Sequence, residues 1–209
     1  MIIEQIQDSI KNNKPLFIKG YMNYDLNWED VINIISDSYN SPIGQKVGAG
    51  DRSNNSQYNP KFERFTSLKA TADSGLGYHA EDIFNGAYSV GSSKFDDIKK
   101  LKQDLLLVEE KNSVITKFAI NMTAGAPALL PHRDTHHVLL TQVLGHAKYT
   151  IHESVESDPY QAYIDVTGRQ FTEYNMEKND FLFMPYGTIH SVDNANIRVA
   201  CIFDIGKFK

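Results

Sequence analysis

Pro131-His132-Arg133-Asp134 runs straight into Thr135-His136-His137-Val138-Leu139-Leu140-Thr141-Gln142-Val143-Leu144-Gly145. The segment Val138–Val143 is aliphatic and β-branched, and Gly145 follows it closely, so it reads as a buried strand ending in a turn. The start of the stretch sets an imidazole and a carboxylate two residues apart. In a strand, or at its end, residues i and i+2 point to one face, so His132 and Asp134 can converge on one ion from one side. A third ligand must come from elsewhere in the chain.

Short β-favouring runs surround this stretch: Val114–Met122 before it, then Lys148–His152, Phe171–Asn175, Phe181–Met184 and Arg198–Ile205. Gly125, Gly145, Gly168 and Gly187 punctuate them. Several short strands with frequent turns indicate a sandwich or small barrel. Further upstream the pattern changes. Ile2, Ile3, Ile6 and Ile10 fall roughly at helical spacing, so 2–12 reads as an amphipathic helix. Pro15–Gly20 reads as a buried strand. Asn27 is placed to cap a second helix, with Trp28, Val31, Ile32 and Ile35 on one face. Residues 41–77 are rich in Gly, Ser and Asn and read as a long loop or cover with short strands. Phe95, Ile98, Leu101, Leu105 and Val108 mark another helix. The expected fold is mainly β with flanking helices. A single domain spans 1–209, with a helical and loop part over 1–112 packed outside a β-barrel or jelly roll over 113–209.

The best candidate for the third ligand is His190, at the end of Phe183-Met184-Pro185-Tyr186-Gly187-Thr188-Ile189-His190. There an apolar strand ends in a Pro/Gly turn and returns with a histidine. An HxD triplet alone occurs by chance in many chains. A strand, turn and histidine 58 residues further on, in a strand-rich half, gives it weight. Both parts lie at predicted strand ends, where a barrel has its mouth. Two histidines and a carboxylate form a facial triad with open positions, which suits non-haem Fe(II) and oxygen chemistry. Arg198 opens the last strand among apolar neighbours. It either snorkels to the surface or points inward to meet a carboxylate, which arginine binds through paired hydrogen bonds. Lys148, just after the Gly145 turn, competes for that role.

Composition narrows the remaining classes. Apolar residues are 41% of the 209, enough for a sizeable core, so a globally disordered chain is excluded. No apolar run approaches the length of a membrane span, and the first residues show no secretory pattern. The formal net charge of -5 argues against a broad nucleic-acid surface. With one cysteine, Cys201, the chain forms no internal disulfide, and a cytoplasmic setting is expected.

The segments Asn121–Asp134 and Thr135–Gly145 resemble the metal-binding core of JmjC-type, cupin-like 2-oxoglutarate oxygenases. Lys178–Pro185 through His190 resembles that family's strand, Pro/Gly turn and distal histidine, and Lys14–Gly20 with Trp28 is similar to its opening segment. The resemblance runs in patches from about residue 14 to 205. It implies a double-stranded β-helix core, Fe(II) held by His132, Asp134 and His190, and 2-oxoglutarate bound through its keto acid end. It further implies oxygen-dependent hydroxylation of an unactivated C–H bond. Many members carry a lysine two residues after the glycine turn for the distal carboxylate of 2-oxoglutarate, where this chain has Ala147. Many also carry a Thr or Tyr three residues before the first histidine, where this chain has Leu129. The run from His190-Ser191-Val192 to Arg198-Val199-Ala200 instead resembles prolyl-hydroxylase-type members, which use an arginine on the last strand. Arg198 is therefore expected to hold the co-substrate, with Lys148 second and Asn121 and Thr141 as inward polar contacts.

His136 and His137 are expected to line the entrance or shape the turn, and His79, His146 and His152 are not assigned to the metal. Tyr58, Arg64 and Tyr88 are candidate substrate contacts on the 41–77 and 85–93 segments. The expected substrate is a small molecule, an amino acid or a peptide, with the short chain leaning towards the smaller end. Two other readings compete: a metal-dependent cupin dioxygenase or isomerase that uses no 2-oxoglutarate, and a jelly-roll binding module without turnover.

Overall fold

The computed structural model describes residues 2–32, 62–66, 76–81, 93–109, 113–121, 127–155, 164–193 and 197–206. The strands among them are β1 (Leu16–Ile18), β2 (Phe62–Thr66), β3 (Leu76–Glu81), β4 (Ser113–Asn121), β5 (Pro127–Arg133), β6 (His137–Leu144), β7 (Ala147–His152), β8 (Phe171–Met176), β9 (Phe181–Met184), β10 (Ile189–Asp193) and β11 (Arg198–Gly206). Two helices, α1 (Ile2–Asn12) and α2 (Asp96–Leu105), accompany them. The predicted strands fall within two residues of these limits, and the helix marked by Phe95 to Val108 runs three residues past the end of α2. The 41–77 segment holds β2 and the start of β3, and its other residues, with Tyr58 and Tyr88, lie outside the described set. Arg64 lies in β2, opposite Tyr78.

The strands form two antiparallel sheets, ordered β1-β9-β6-β11-β4-β3-β2 and β5-β10-β7-β8. This is the mainly β, jelly-roll arrangement read from the sequence. Strand alternation separates two cores. Leu139, Val143, Phe181, Phe183, Cys201 and Phe203 point outward from the larger sheet, where Ile6 of α1 and Ile98, Leu101 and Leu105 of α2 cover them. Val138, Leu140, Leu182 and Met184 point the other way and meet Tyr149, Met176 and Val192 of the smaller sheet. The helices thus seal one face of the larger sheet. The other face is the barrel interior.

The N-terminal segment is stitched to the barrel by the turn before β9. Asp180 accepts the Gly20 N–H at 2.8 Å, and the Asn179 side chain accepts the Tyr24 N–H at 2.9 Å. Asn27 caps a helical turn at 28–32: its side chain accepts the Asp30 N–H at 3.1 Å, and the Asp30 carboxylate accepts the Asn27 N–H at 2.9 Å. This is a reciprocal capping box. The apolar face predicted there is only partly buried. Val31 is enclosed, but Trp28 and Ile32 are exposed, because the cap turns them away from the α1–α2 core. No helix among the described residues is long and apolar enough to cross a membrane.

Candidate metal centre

His132 is the last residue but one of β5 and His190 the second residue of β10, and the two are direct partners across the antiparallel ladder. Cross-strand partners share a face, so both imidazoles turn into the barrel mouth, with ring centroids 4.3 Å apart. Arg133 alternates outward and donates to the Ser154 hydroxyl at 2.8 Å. Asp134, the next residue, returns to the side of His132. His132 Nε2 lies 3.9 Å from Asp134 Oδ1, and His190 Nε2 lies 3.7 Å from Asp134 Oδ2. One donor atom from each of the three lies within 4.8 Å of the others.

The second ring nitrogen of each histidine shows how the group is set. His132 Nδ1 donates to the Leu130 carbonyl at 2.8 Å, and His190 Nδ1 donates to the Thr188 carbonyl at 3.1 Å. Both protons are thereby fixed on Nδ1, and both Nε2 lone pairs face the Asp134 carboxylate. This is the tautomer and second hydrogen bond a metal-bound imidazole requires. Burial, together with the nearby His132, lowers the His190 pKa from its ordinary value to about 4, so the imidazole stays neutral and able to coordinate at neutral pH. Two imidazoles and one carboxylate converging on one point are the donor set of a facial triad and fit a divalent iron ion.

The turn Pro185–Thr188 delivers His190. Gly187 holds a positive φ of 77°, a conformation that favours glycine, and its N–H donates to the Asp134 carbonyl at 3.2 Å. The Thr188 hydroxyl donates to the Pro185 carbonyl at 2.7 Å. The backbone carrying the distal histidine is therefore bonded directly to the backbone carrying the carboxylate.

Arg198 lies at the start of β11 on the barrel-facing side and is only 4% exposed. It donates to the Tyr149 hydroxyl at 3.0 Å, and its guanidinium carbon lies 5.6 Å from the centroid of that ring. Tyr149 faces Val192, while His190 faces Ile151. Two residues of strand, about 7 Å, thus separate the level of the metal ligands from the level of the Tyr149–Arg198 pair. Asn121 is the ladder partner of Arg198.

Two sequence expectations are corrected. Lys148 neighbours Tyr149 and therefore points to the opposite, outer face, where it pairs with Glu173 at 2.8 Å and Asp193 at 3.6 Å. Thr141 lies on the helix-covered face of β6, not the barrel face. Its hydroxyl is hydrogen-bonded to the Tyr24 hydroxyl in a buried pair. The inward residues of β6 are its alternating neighbours, Leu140 and Gln142.

Sequence reading also passed over residues that the fold recruits. Tyr149 sits between Lys148 and Thr150 in a short β-favouring run and carries no motif. The Asp204 carboxylate of β11 lies 3.2 Å from His136 Nε2 beside the mouth. His136 and His137 are the pair expected at the entrance or the turn, and His137 accepts the Tyr186 N–H of the Pro185–Thr188 turn at 2.8 Å. The clustering of five of the seven histidines between His132 and His152 was the signal for both.

This geometry agrees with what the chain is similar to. Ribosomal oxygenase 2 of Bos taurus is 27% identical over 114 residues, covering 48% of this chain and 23% of that protein. The ribosomal oxygenase YcfD of Escherichia coli, solved with cobalt and succinic acid, superposes with a TM-score of 0.51 at 15% identity, covering 94% of this chain and 49% of that one. A second YcfD structure gives 0.53 at 13% identity, covering 97% and 51%. At such identities the structural likeness shows the fold, and the chain spans about half the length of these structural relatives. A JmjC domain model matches residues 94–206, which hold both helix α2 and every candidate metal ligand, and the chain belongs to the JmjC domain family.

Proposed function

We propose that this protein is an Fe(II)- and 2-oxoglutarate-dependent oxygenase that hydroxylates an unactivated C–H bond. The observation that carries this reading is the pairing of two sites at different depths in one barrel. His132, Asp134 and His190 gather at the mouth, and Arg198 lies below them, buried and held by Tyr149. A five-carbon keto diacid has the length to reach from one level to the other, its keto acid end at the ion and its distal carboxylate on the guanidinium. Asn121, opposite Arg198 in the ladder, is proposed as a polar neighbour of that carboxylate.

When bound, the iron supplies oxygen activation coupled to decarboxylation of the keto acid, so that one oxygen atom enters succinate and the other enters the substrate C–H bond as a hydroxyl. The protein's own groups do the positioning. His132 and His190 present Nε2, and the Asp134 carboxylate completes the set. Arg198 offers the distal carboxylate paired, charge-assisted hydrogen bonds, and Tyr149 keeps the guanidinium in place. The apolar side chains Val192, Leu182 and Met184 exclude water around the chain of the keto acid.

The relatives are named ribosomal oxygenases, which makes a ribosomal component the first substrate class to try, and a peptide segment the form in which to try it. Purified protein stripped of metal is supplied with Fe(II), ascorbate and 2-oxoglutarate, and succinate is measured. The expected result is slow succinate formation that disappears in His132→Ala and falls sharply in Arg198→Ala. Tight iron binding without any succinate, with or without ribosomal peptides, would favour a cupin chemistry that uses no keto acid.

A further inference from the structure

We infer that His137 is a positioning residue for the metal centre, acting through the Pro185–Thr188 turn on His190. This rests on the metal-site reading above. His137 opens β6, three residues past Asp134, and its Nδ1 accepts the backbone N–H of Tyr186 at 2.8 Å. The ring proton must therefore sit on Nε2, which faces the Glu109 carboxylate at 3.6 Å, just past the end of α2. The imidazole also stacks on Phe183, with centroids 5.8 Å apart and planes 26° apart. Three different elements thus fix one ring.

That ring grips the turn at a sensitive place. Tyr186, Gly187 and Thr188 are consecutive, and each uses a backbone group to tie the turn to the metal centre. The Tyr186 N–H goes to His137, the Gly187 N–H goes to the Asp134 carbonyl, and the Thr188 carbonyl receives the His190 Nδ1 proton. The first of these bonds is made by a side chain anchored outside the turn. Releasing it would let the turn rotate about the Gly187 and Thr188 contacts and change the angle at which His190 offers its lone pair. The Thr188 carbonyl is the group bonded directly to a metal ligand, and loss of such a partner typically changes affinity by about 10- to 100-fold; His137 acts through the turn that holds it, so the lower end of that range is expected.

The test compares two polar replacements. His137→Asn places its carbonyl oxygen close to where Nδ1 lies and keeps the acceptor for Tyr186. His137→Gln places it one bond further, where Nε2 lies, and loses that acceptor. Co(II) affinity and the visible absorption of the bound Co(II) are measured on wild-type protein and both variants, alongside the thermal stability of each metal-free form. The expected outcome is near wild-type affinity and spectrum for His137→Asn. For His137→Gln, the expectation is affinity at least about 10-fold weaker with a shifted Co(II) band, at similar metal-free stability. Equal effects of the two replacements, or weakening that only follows lost metal-free stability, would overturn the inference. If wild-type protein itself bound no Co(II), the metal-site reading would fail, which is a separate result from unaltered binding in His137→Gln.

Discussion

Arg198 and Lys148 carry the same charge and compete for the same role in the sequence, yet the fold separates them completely. Arg198 is enclosed beside Tyr149, while Lys148 is bound to Glu173 and Asp193 on the outer face. The expected consequence is unequal. Arg198→Ala should raise KM for 2-oxoglutarate about 10- to 100-fold, the value of hydrogen bonds to a charged group, whereas Lys148→Ala should leave it unchanged and cost under about 1 kcal/mol of stability. Steady-state succinate kinetics on both variants check this. His190 gives a pH prediction. Its neutral form is favoured in the folded protein down to about pH 4, while an unfolded histidine takes up its proton near 6.5. Its contribution to the stability of the metal-free protein is therefore fully present above about pH 6.5 and is lost as pH falls towards 4. Denaturant titrations of metal-free protein across that window should show the decline, and His190→Ala should flatten it.

At the scale of elements, the faces of β6 and the turn after it matter most. Thr141→Val removes the partner of the buried Tyr24 hydroxyl and should cost about 1–3 kcal/mol, seen in thermal unfolding, without changing KM for 2-oxoglutarate, because that face packs under the helices. Gly145 behaves differently. It holds a positive φ of 68°, and a Cβ there would lie 2.4 Å from the Ile197 carbonyl and 3.2 Å from Arg198 Cβ. Gly145→Ala should cost at least about 1–2 kcal/mol from the backbone alone and also raise KM for 2-oxoglutarate by displacing Arg198. Much of this level was legible beforehand. The β-favouring runs of β4, β6, β7, β9 and β11 located those strands within a residue, while the periodicity of α2 continued three residues past its end, to Val108. Strands β5 and β10 are harder to see, since Pro127–Arg133 mixes proline, histidine and charge and Ile189–Asp193 holds a histidine, a serine and an aspartate in five residues. Facing was the main loss. A run buried on both sides, such as Val138–Val143, has no polar alternation to show which residues look inward, so Thr141 was assigned to the wrong side.

Across the whole molecule, the sequence separation of the ligands disappears into one ladder rung. His132 and His190 are 58 residues apart in the chain and directly opposed in the smaller sheet. The HxD triplet and the distal strand-turn-histidine pointed to that convergence because each lies at a strand end, and strand ends meet at a barrel mouth. Tyr149 left no such trace, since its importance comes only from the larger sheet bringing Arg198 across to it. The decisive question is whether one keto diacid occupies both levels of the barrel. The most direct measurement is an anaerobic titration of the Fe(II)-loaded protein with 2-oxoglutarate, followed by visible absorption, since a keto acid chelating Fe(II) gives a charge-transfer band that neither partner has alone. A saturable band is expected in wild-type protein, none in His132→Ala, and in Arg198→Ala a band that appears only at much higher 2-oxoglutarate. Iron-loaded protein that develops no band at any concentration, or a band equally easily formed in Arg198→Ala, would contradict that occupancy.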